Sequence, residues 1–483
     1  MSASELAEPP ALAVPSLAPS APAPPDERWR VRDHLDFPVW TTTLDNGIRV
    51  WVNPRPGHGS MVASIVVRGG ARYEPPGKSG VAHLTEHMVF TGAADRTEDD
   101  IVRFVRERGG YRNGHTMPER VYYYAQLGPE WLDDSVDWLS DVVFRPTFDA
   151  DKLPKELNVV HQEQGGRELP AVARIRDRVA TRRLIDAMRS AYFPGSPMAF
   201  DPAGHPATLP NVTIDDVRAF HAAHYRPTDA VLIVVGDVTP DAVLRVAEHR
   251  LGGLAPGEHV PTPPPPPTTR WPGEVAWVRA PRLSDACSVV LAAPVMGRDD
   301  ANIWATDLLA EYLMDQSWTD LRIRRGLVYK LWSRNWFHSN TGLFQLETEG
   351  ECGDTAAIGD ALNQAVDRVI AGDVDAERLA VVQQMYVGQW RVRMEPNLGR
   401  VEWLSRWALP DGDPLSHADG PRRVAALTPV DLSRTARDWL GPDRRTLWVH
   451  TPLIGRSWVA GAVLAALLLL LALLARRVSR GRA

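Results

Sequence analysis

Two histidines and a glutamate stand within five residues, His83-Leu-Thr-Glu86-His87. On a helix, positions 83, 86 and 87 share one face, because residues three and four apart are neighbours. Two neutral imidazoles then converge on one divalent ion, and the Glu86 carboxylate lies close enough to hold a water bound to it. The order His-x-x-Glu-His is the inverted form of the zinc-peptidase motif. Zinc held by two imidazoles and one further protein ligand keeps a fourth position open, lowers the pKa of a bound water to about 7 and polarises a carbonyl. A neighbouring carboxylate takes the proton from that water and passes it to the leaving amine. Three fixed residues also arise by chance, as a pair of surface histidines on a helix. The chemistry therefore needs a third ligand and a fold that delivers it.

The elements that would position the motif are legible around it. Ile48–Val52 and Val62–Val67 are apolar, β-branched runs that predict strands, and Gly80–Phe90 predicts the helix of the motif. Thr97, with Asp100 three residues on, predicts a capped helix that presents Ile101, Phe104 and Val105 on one face and stops at Gly109-Gly110. Val121–Leu127 predicts a strand, and Leu132, Val136, Leu139 and Val143 mark a further helical face. The pattern then recurs. Thr213-Ile-Asp-Asp216 opens a helix followed by the apolar run Ala230–Val235, and 215 residues later Thr428-Pro-Val-Asp431 opens another, followed by Thr446–Val449. Ser64-Ile-Val-Val67 likewise matches Ser288-Val-Val-Leu291. Mixed strands and helices in two copies predict two homologous α+β domains, each a mostly antiparallel sheet flanked by helices, over residues 38–250 and 274–452. The stretch 251–273 between them contains five consecutive prolines, Pro263 to Pro267, and reads as an extended linker.

Residues 80–92, Gly-Val-Ala-His-Leu-Thr-Glu-His-Met-Val-Phe-Thr-Gly, resemble the active-site helix of the pitrilysin/insulinase family, the inverzincins, which includes the mitochondrial processing peptidases and bacterial members like them. That resemblance implies a third zinc ligand in Lys152-Leu-Pro-Lys-Glu-Leu-Asn-Val-Val-His-Gln-Glu163: Glu163 as the ligand, 76 residues after His87, and Glu156, seven residues earlier on the same face, orienting a ligand. Asn113-Gly-His-Thr116 and the strand after it are similar to the family's Asn-Ala-x-Thr segment, which pairs with extended substrate, so Asn113 and Thr116 are implied in substrate binding. Gly114 departs from the usual alanine. The second copy's matching helix, from Ile303 to Leu313, holds no histidine, which leaves one zinc ion per chain. Arg322 and Tyr329, seven apart around Gly-Leu-Val-Tyr, resemble the family's pair in which the tyrosine donates to the substrate carbonyl oxygen and the arginine binds substrate backbone. The resemblance implies a zinc-dependent endopeptidase acting on peptides or unfolded polypeptides, a clamshell of the two domains closing on its substrate, and a homo- or hetero-dimer. The alternative is a catalytically weak or inactive, membrane-anchored partner subunit of a peptidase assembly, or an active subunit whose Arg/Tyr half comes from another chain.

Composition narrows the classes further. A net charge of −6 over 483 residues leaves no basic footprint for nucleic acid. Two cysteines, Cys287 and Cys352, make neither a disulfide framework nor a cysteine zinc site. Residues 1–30, rich in Ala and Pro, predict a disordered extension without the basic start and apolar run of a secretory signal. Trp458–Ala475 is 18 residues without a charge, followed by an arginine-bearing tail, 476–483. Such a run predicts a transmembrane helix and a single-pass C-terminal membrane anchor, with the side of the membrane occupied by the body left open.

Overall fold

The computed structural model describes residues 27–33, 35–164, 183–266, 275–409, 411–413 and 415–455, with 459, 461, 463 and 465–469 beyond them. The first half builds a sheet from β1 (Arg30–Arg32), β2 (Val39–Thr43), β3 (Arg49–Pro54) and β4 (Met61–Val67). After a two-residue ribbon, β5 (Gly92–Ala93) and β6 (Arg96–Thr97), it adds β7 (Tyr111–Thr116), β8 (Val121–Leu127) and β9 (Ala230–Gly236). The order across the sheet is β1-β2-β3-β9-β4-β8-β7, antiparallel except for the β3–β9 pair. The second half repeats the plan with β10 (Val275–Leu283), β11 (Ala286–Val295), β12 (Val328–Ser333), β13 (Trp336–Phe337), β14 (Gly342–Glu351) and β15 (Thr446–Ile454). Its order is β10-β15-β11-β14-β12, again with one parallel pair, β10–β15, at the equivalent place. The repeat seen in the sequence is thus a repeat of topology: β4 corresponds to β11 and β9 to β15. The threonines Thr213 and Thr428 each form a full capping box with the aspartate three residues on, and Thr97 does the same with Asp100.

Helices α1 (Val81–Met88), α2 (Glu98–Glu107), α3 (Leu132–Phe144) and α4 (Leu153–Glu163) serve the first sheet. One face of it, with Val50, Val52, Ile65 and Val67, packs on Val81, Leu84, Met88, Trp138 and Leu139 from α1 and α3. The alternate residues Trp51, Val62, Val66, Ile233 and Val235 point the other way, into a core that continues through Leu308, Leu362, Trp403 and Leu404 of the second half. Both faces being covered, β9 reads Ala-Val-Leu-Ile-Val-Val-Gly with every residue buried and no alternation. The halves are therefore joined by a shared apolar core as well as by the chain at 251–266. Glu119, in the turn between β7 and β8, reinforces the junction: it accepts from Arg72 at 2.5 Å, from Arg298 at 3.3 Å and from the Ser339 backbone N–H at 2.9 Å, all of them buried. The proline stretch takes part in this junction, since the Pro263 carbonyl accepts from Arg72 at 2.9 Å and from Asn340 at 2.9 Å.

Several expectations are corrected. Among the described residues no helix is long and apolar enough to cross a membrane, so the C-terminal transmembrane helix and the single-pass anchor are not supported. Of 458–475 only 459, 461, 463 and 465–469 are described, all helical, and the remainder lies outside the described residues, as do 476–483 and most of 1–30. A crossing needs about 20 continuous apolar helical residues, and no described helix meets that requirement. The two cysteines, read as no framework, are joined: Cys287 in β11 bonds Cys352 just after β14, across neighbouring antiparallel strands. The ordered body also starts earlier than residue 38, because β1 pairs with β2 through Arg30 and Thr41. Finally, the helix Leu184–Tyr192, which belongs to the first half by sequence position, packs on the second sheet, where the Tyr192 hydroxyl donates to the Ala292 carbonyl at 3.2 Å.

Candidate metal centre

Helix α1 begins at Gly80, whose φ of 105° lies in the left-handed region. The buried carboxylate of Glu74 caps it, accepting the N–H groups of Gly80 and Ala82 at 3.0 Å each. Burial pushes the Glu74 carboxyl up to about 8 despite those two bonds. Val81, Leu84 and Met88 anchor α1 in the core, which leaves His83 and His87 on the opposite face, toward a cavity of about 560 Å³. Their ring centroids are 4.7 Å apart and the rings are nearly perpendicular.

Helix α4 crosses α1 and delivers two carboxylates. Oε2 of Glu163 lies 3.5 Å from Nε2 of His83 and 3.5 Å from Nε2 of His87. Glu156, buried one helical repeat earlier, lies 3.2 Å from Nδ1 of His87, so the ring turns its Nε2 toward Glu163. Donors of the three groups lie within 4.8 Å of one another. Nitrogen and oxygen ligands around a tetrahedral zinc, each about 2.0–2.2 Å from it, stand roughly 3.3–3.6 Å apart. The two measured separations fall in that range, so His83, His87 and Glu163 fit one zinc ion. Burial, together with the charge of His87, pulls His83 down to about 4, which keeps it in the neutral form a metal requires. Burial also acts to lower His87, but the hydrogen bond to Glu156 and the charges of Glu86 and Glu163 outweigh it and hold His87 above its usual value.

Glu86 sits beside this set. Its Oε2 accepts from the Thr116 hydroxyl at 2.6 Å, and burial raises its pKa against that bond. The carboxylate lies over Gly114 of β7: a Cβ there would come within 2.8 Å of Glu86 Oε1. The departure from alanine noted in the sequence is thus the space that Glu86 occupies. Strand β7 is the outermost strand on its side of the sheet, pairing only β8, and Asn113 and Thr116 line the cavity with it.

The structure brings together His83, Glu86, His87, Glu156, Glu163, Asn113 and Thr116. It does not bring Arg322 or Tyr329 to them. Arg322 donates to the Val328 carbonyl at 3.3 Å and lies over the Tyr329 ring at 5.1 Å, Tyr329 is 70% exposed, and neither lines the cavity. Sequence reasoning missed Arg112, stacked on Phe90 at 4.7 Å, and the loop Asp201-Pro-Ala203, both of which border the cavity. The Asp201 carboxyl is held at about 2: burial raises it, and the Ala203 N–H and Arg189 more than offset that. Asp-Pro followed by Gly is a turn signal. Nothing local to it points to the zinc helix, against which Gly204 packs at a distance only glycines allow.

Two repeated α+β halves, one with a two-histidine, one-carboxylate donor set and the other without histidines on its matching helix, define a two-domain α+β protein with a candidate metal centre in its first half. The family profile "Insulinase (Peptidase family M16)" matches residues 50–188, and "Peptidase M16 inactive domain" matches residues 211–386. The beta subunit of the mitochondrial-processing peptidase of Caenorhabditis elegans is 30% identical over 217 residues, an alignment spanning 45% of each chain. An uncharacterized zinc protease of Streptomyces coelicolor is 25% identical over 86% of this chain and 90% of its own length. In fold, a protease from Helicobacter pylori superposes with a TM-score of 0.75 at 20% identity, over 86% of this chain and 99% of that one. The chain belongs to the insulinase family, peptidase family M16, whose relatives named as zinc proteases place it broadly among peptidases.

Proposed function

We propose that the chain is a zinc-dependent metalloendopeptidase that hydrolyses peptide bonds in peptides or unfolded polypeptides. The observation that carries the reading is the pair of 3.5 Å separations from Glu163 Oε2 to the two histidine Nε2 atoms, with the Glu86 carboxylate on the same helix face. His83, His87 and Glu163 would hold zinc, and Glu156 fixes the orientation of His87. Zinc bound there would supply an acidified water and a polarised scissile carbonyl. With zinc there, Glu86 would take the proton from the water and return it to the leaving amine. The free edge of β7 pairs with extended substrate backbone, the geometry of strand addition, with Asn113 and Thr116 along it.

Arg322 and Tyr329 are the proposed substrate ligands of the second half. Because the two halves share a buried core and Tyr329 stands exposed outside the cavity, the reading favoured for this pair is supply across a dimer, from a second copy or a related chain. Glu86→Gln protein should retain zinc and lose cleavage of a peptide library; undiminished cleavage overturns the assignment. Mixing Glu86→Gln with Tyr329→Phe protein should restore cleavage if the pair acts between chains, and should not if it acts within one.

A further inference from the structure

A second cavity, of about 440 Å³, opens at the β1 edge of the first sheet, where its face turned to the second half runs out of the shared core. Strand register assembles its wall. Arg30 lies opposite Thr41, Thr41 opposite Trp51, and Thr43 opposite Arg49, so these residues project from one face of three adjacent strands. Arg32, two residues from Arg30, joins them, and Arg28 lines the same space. From the second half come Asp413 and Leu415, and Asp413 is the only carboxylate among the lining residues.

The charges here do not cancel. Asp413 is taken by Arg32 at 3.0 Å, and Arg28 is taken by Glu248 at 2.6 Å. Arg30 and Arg49 make no side-chain hydrogen bond and no ion pair with a described residue. Burial, with repulsion from Arg68, holds Arg49 down to about 10 against the attraction of the Asp229 and Asp411 carboxylates. Four guanidinia, of Arg28, Arg30, Arg32 and Arg49, thus line the cavity beside one lining carboxylate, a local excess of positive charge in a protein of net charge −6. An oxyanion suits that excess, because guanidinium pairs with phosphate through two parallel, charge-assisted hydrogen bonds. The cavity exceeds what a lone carboxylate would fill and is the size of a small-molecule site.

We propose that this cavity binds a phosphate-bearing small molecule, with Arg49 and Arg30 as the principal donors to the phosphate group, Thr43 as a hydroxyl donor, and the ligand bridging the two halves at Leu415. The site is separate from the metal centre, with which it shares no lining residue.

The test titrates the full chain with inorganic phosphate, pyrophosphate, ADP and, as a carboxylate control, citrate, by calorimetry and thermal melting. Saturable binding of at least one phosphate compound and a melting temperature that rises with its concentration are expected. Arg49→Met and Arg30→Gln should each weaken binding about ten- to a hundredfold. Arg30 is an exposed edge residue without side-chain bonds, so Arg30→Gln tests the proposal even if Arg49→Met fails to fold. Binding of ADP or pyrophosphate but not inorganic phosphate supports the proposal with an organic phosphate or diphosphate as the source, and the reverse supports free phosphate. Absence of binding by all three, equal binding by both variants and the parent, or citrate binding as tightly as the phosphates overturns it.

Discussion

Replacing Glu119 by glutamine removes one negative charge from the turn between β7 and β8 and leaves Arg72 and Arg298 buried without their shared anion. Burial alone would raise the Glu119 carboxyl, but the guanidinia of Arg298 and Arg72, the charge of His338 and the Ser339 N–H hold it at about 2, from an ordinary 4.5. At about 1.36 kcal/mol per pKa unit, that depression corresponds to about 3 kcal/mol of folding stability at neutral pH. The folded-state pKa lies below the unfolded one, so the contribution is complete above pH 4.5 and is lost as pH falls through 4.5 toward 2. Urea unfolding followed by tryptophan fluorescence should show Glu119→Gln less stable than the parent by about 3 kcal/mol at neutral pH and by roughly half that near pH 3. The same turn ties down β7, which carries Thr116 against Glu86, so turnover should fall with stability. Equal midpoints at neutral pH, or a gap that widens on acidification, would refute the reasoning.

Gly114→Ala should leave folding and zinc content near the parent's, because the nearest atoms in the way, Oε1, Cγ and Cδ, all belong to the one side chain of Glu86, yet lower turnover about tenfold by displacing it; unchanged turnover counts against the placement of that carboxylate. Glu156→Gln should weaken zinc affinity about 10- to 100-fold, read by competition with a chelating dye, since it loosens the orientation of His87; parent-like affinity would make Glu156 a packing residue. Reduction of the Cys287–Cys352 bond, which closes a loop of sequence separation 65, should lower stability by up to about 4 kcal/mol in denaturant titrations. Identical midpoints with and without reductant would show that the bond does not constrain the unfolded chain.

The sequence by itself determined what is local. The helix geometry of His83, Glu86 and His87 follows from residues three and four apart, and the capping boxes at Thr97, Thr213 and Thr428 follow from a hydroxyl and a carboxylate at fixed offset, so both were legible. The two-fold repeat was legible for the same reason, because each copy carries its own turn and strand signals. Glu163 and Glu156 share a helix face by spacing, but that this face meets α1 depended on tertiary packing. An apolar stripe says that a face is covered and not by what. The covering of the first sheet by the second half, the packing of Leu184–Tyr192 on the opposite sheet, the pairing of Cys287 with Cys352 and the approach of Asp201 all join residues far apart in the chain. The apolar run 458–475 predicts a membrane anchor from hydropathy alone, whereas among the described residues no helix is long and apolar enough to cross a membrane. The limit of local signals also hid the separation of Arg322 and Tyr329 from the metal centre, because only the shared core of the two halves sets how far one half can travel toward the other.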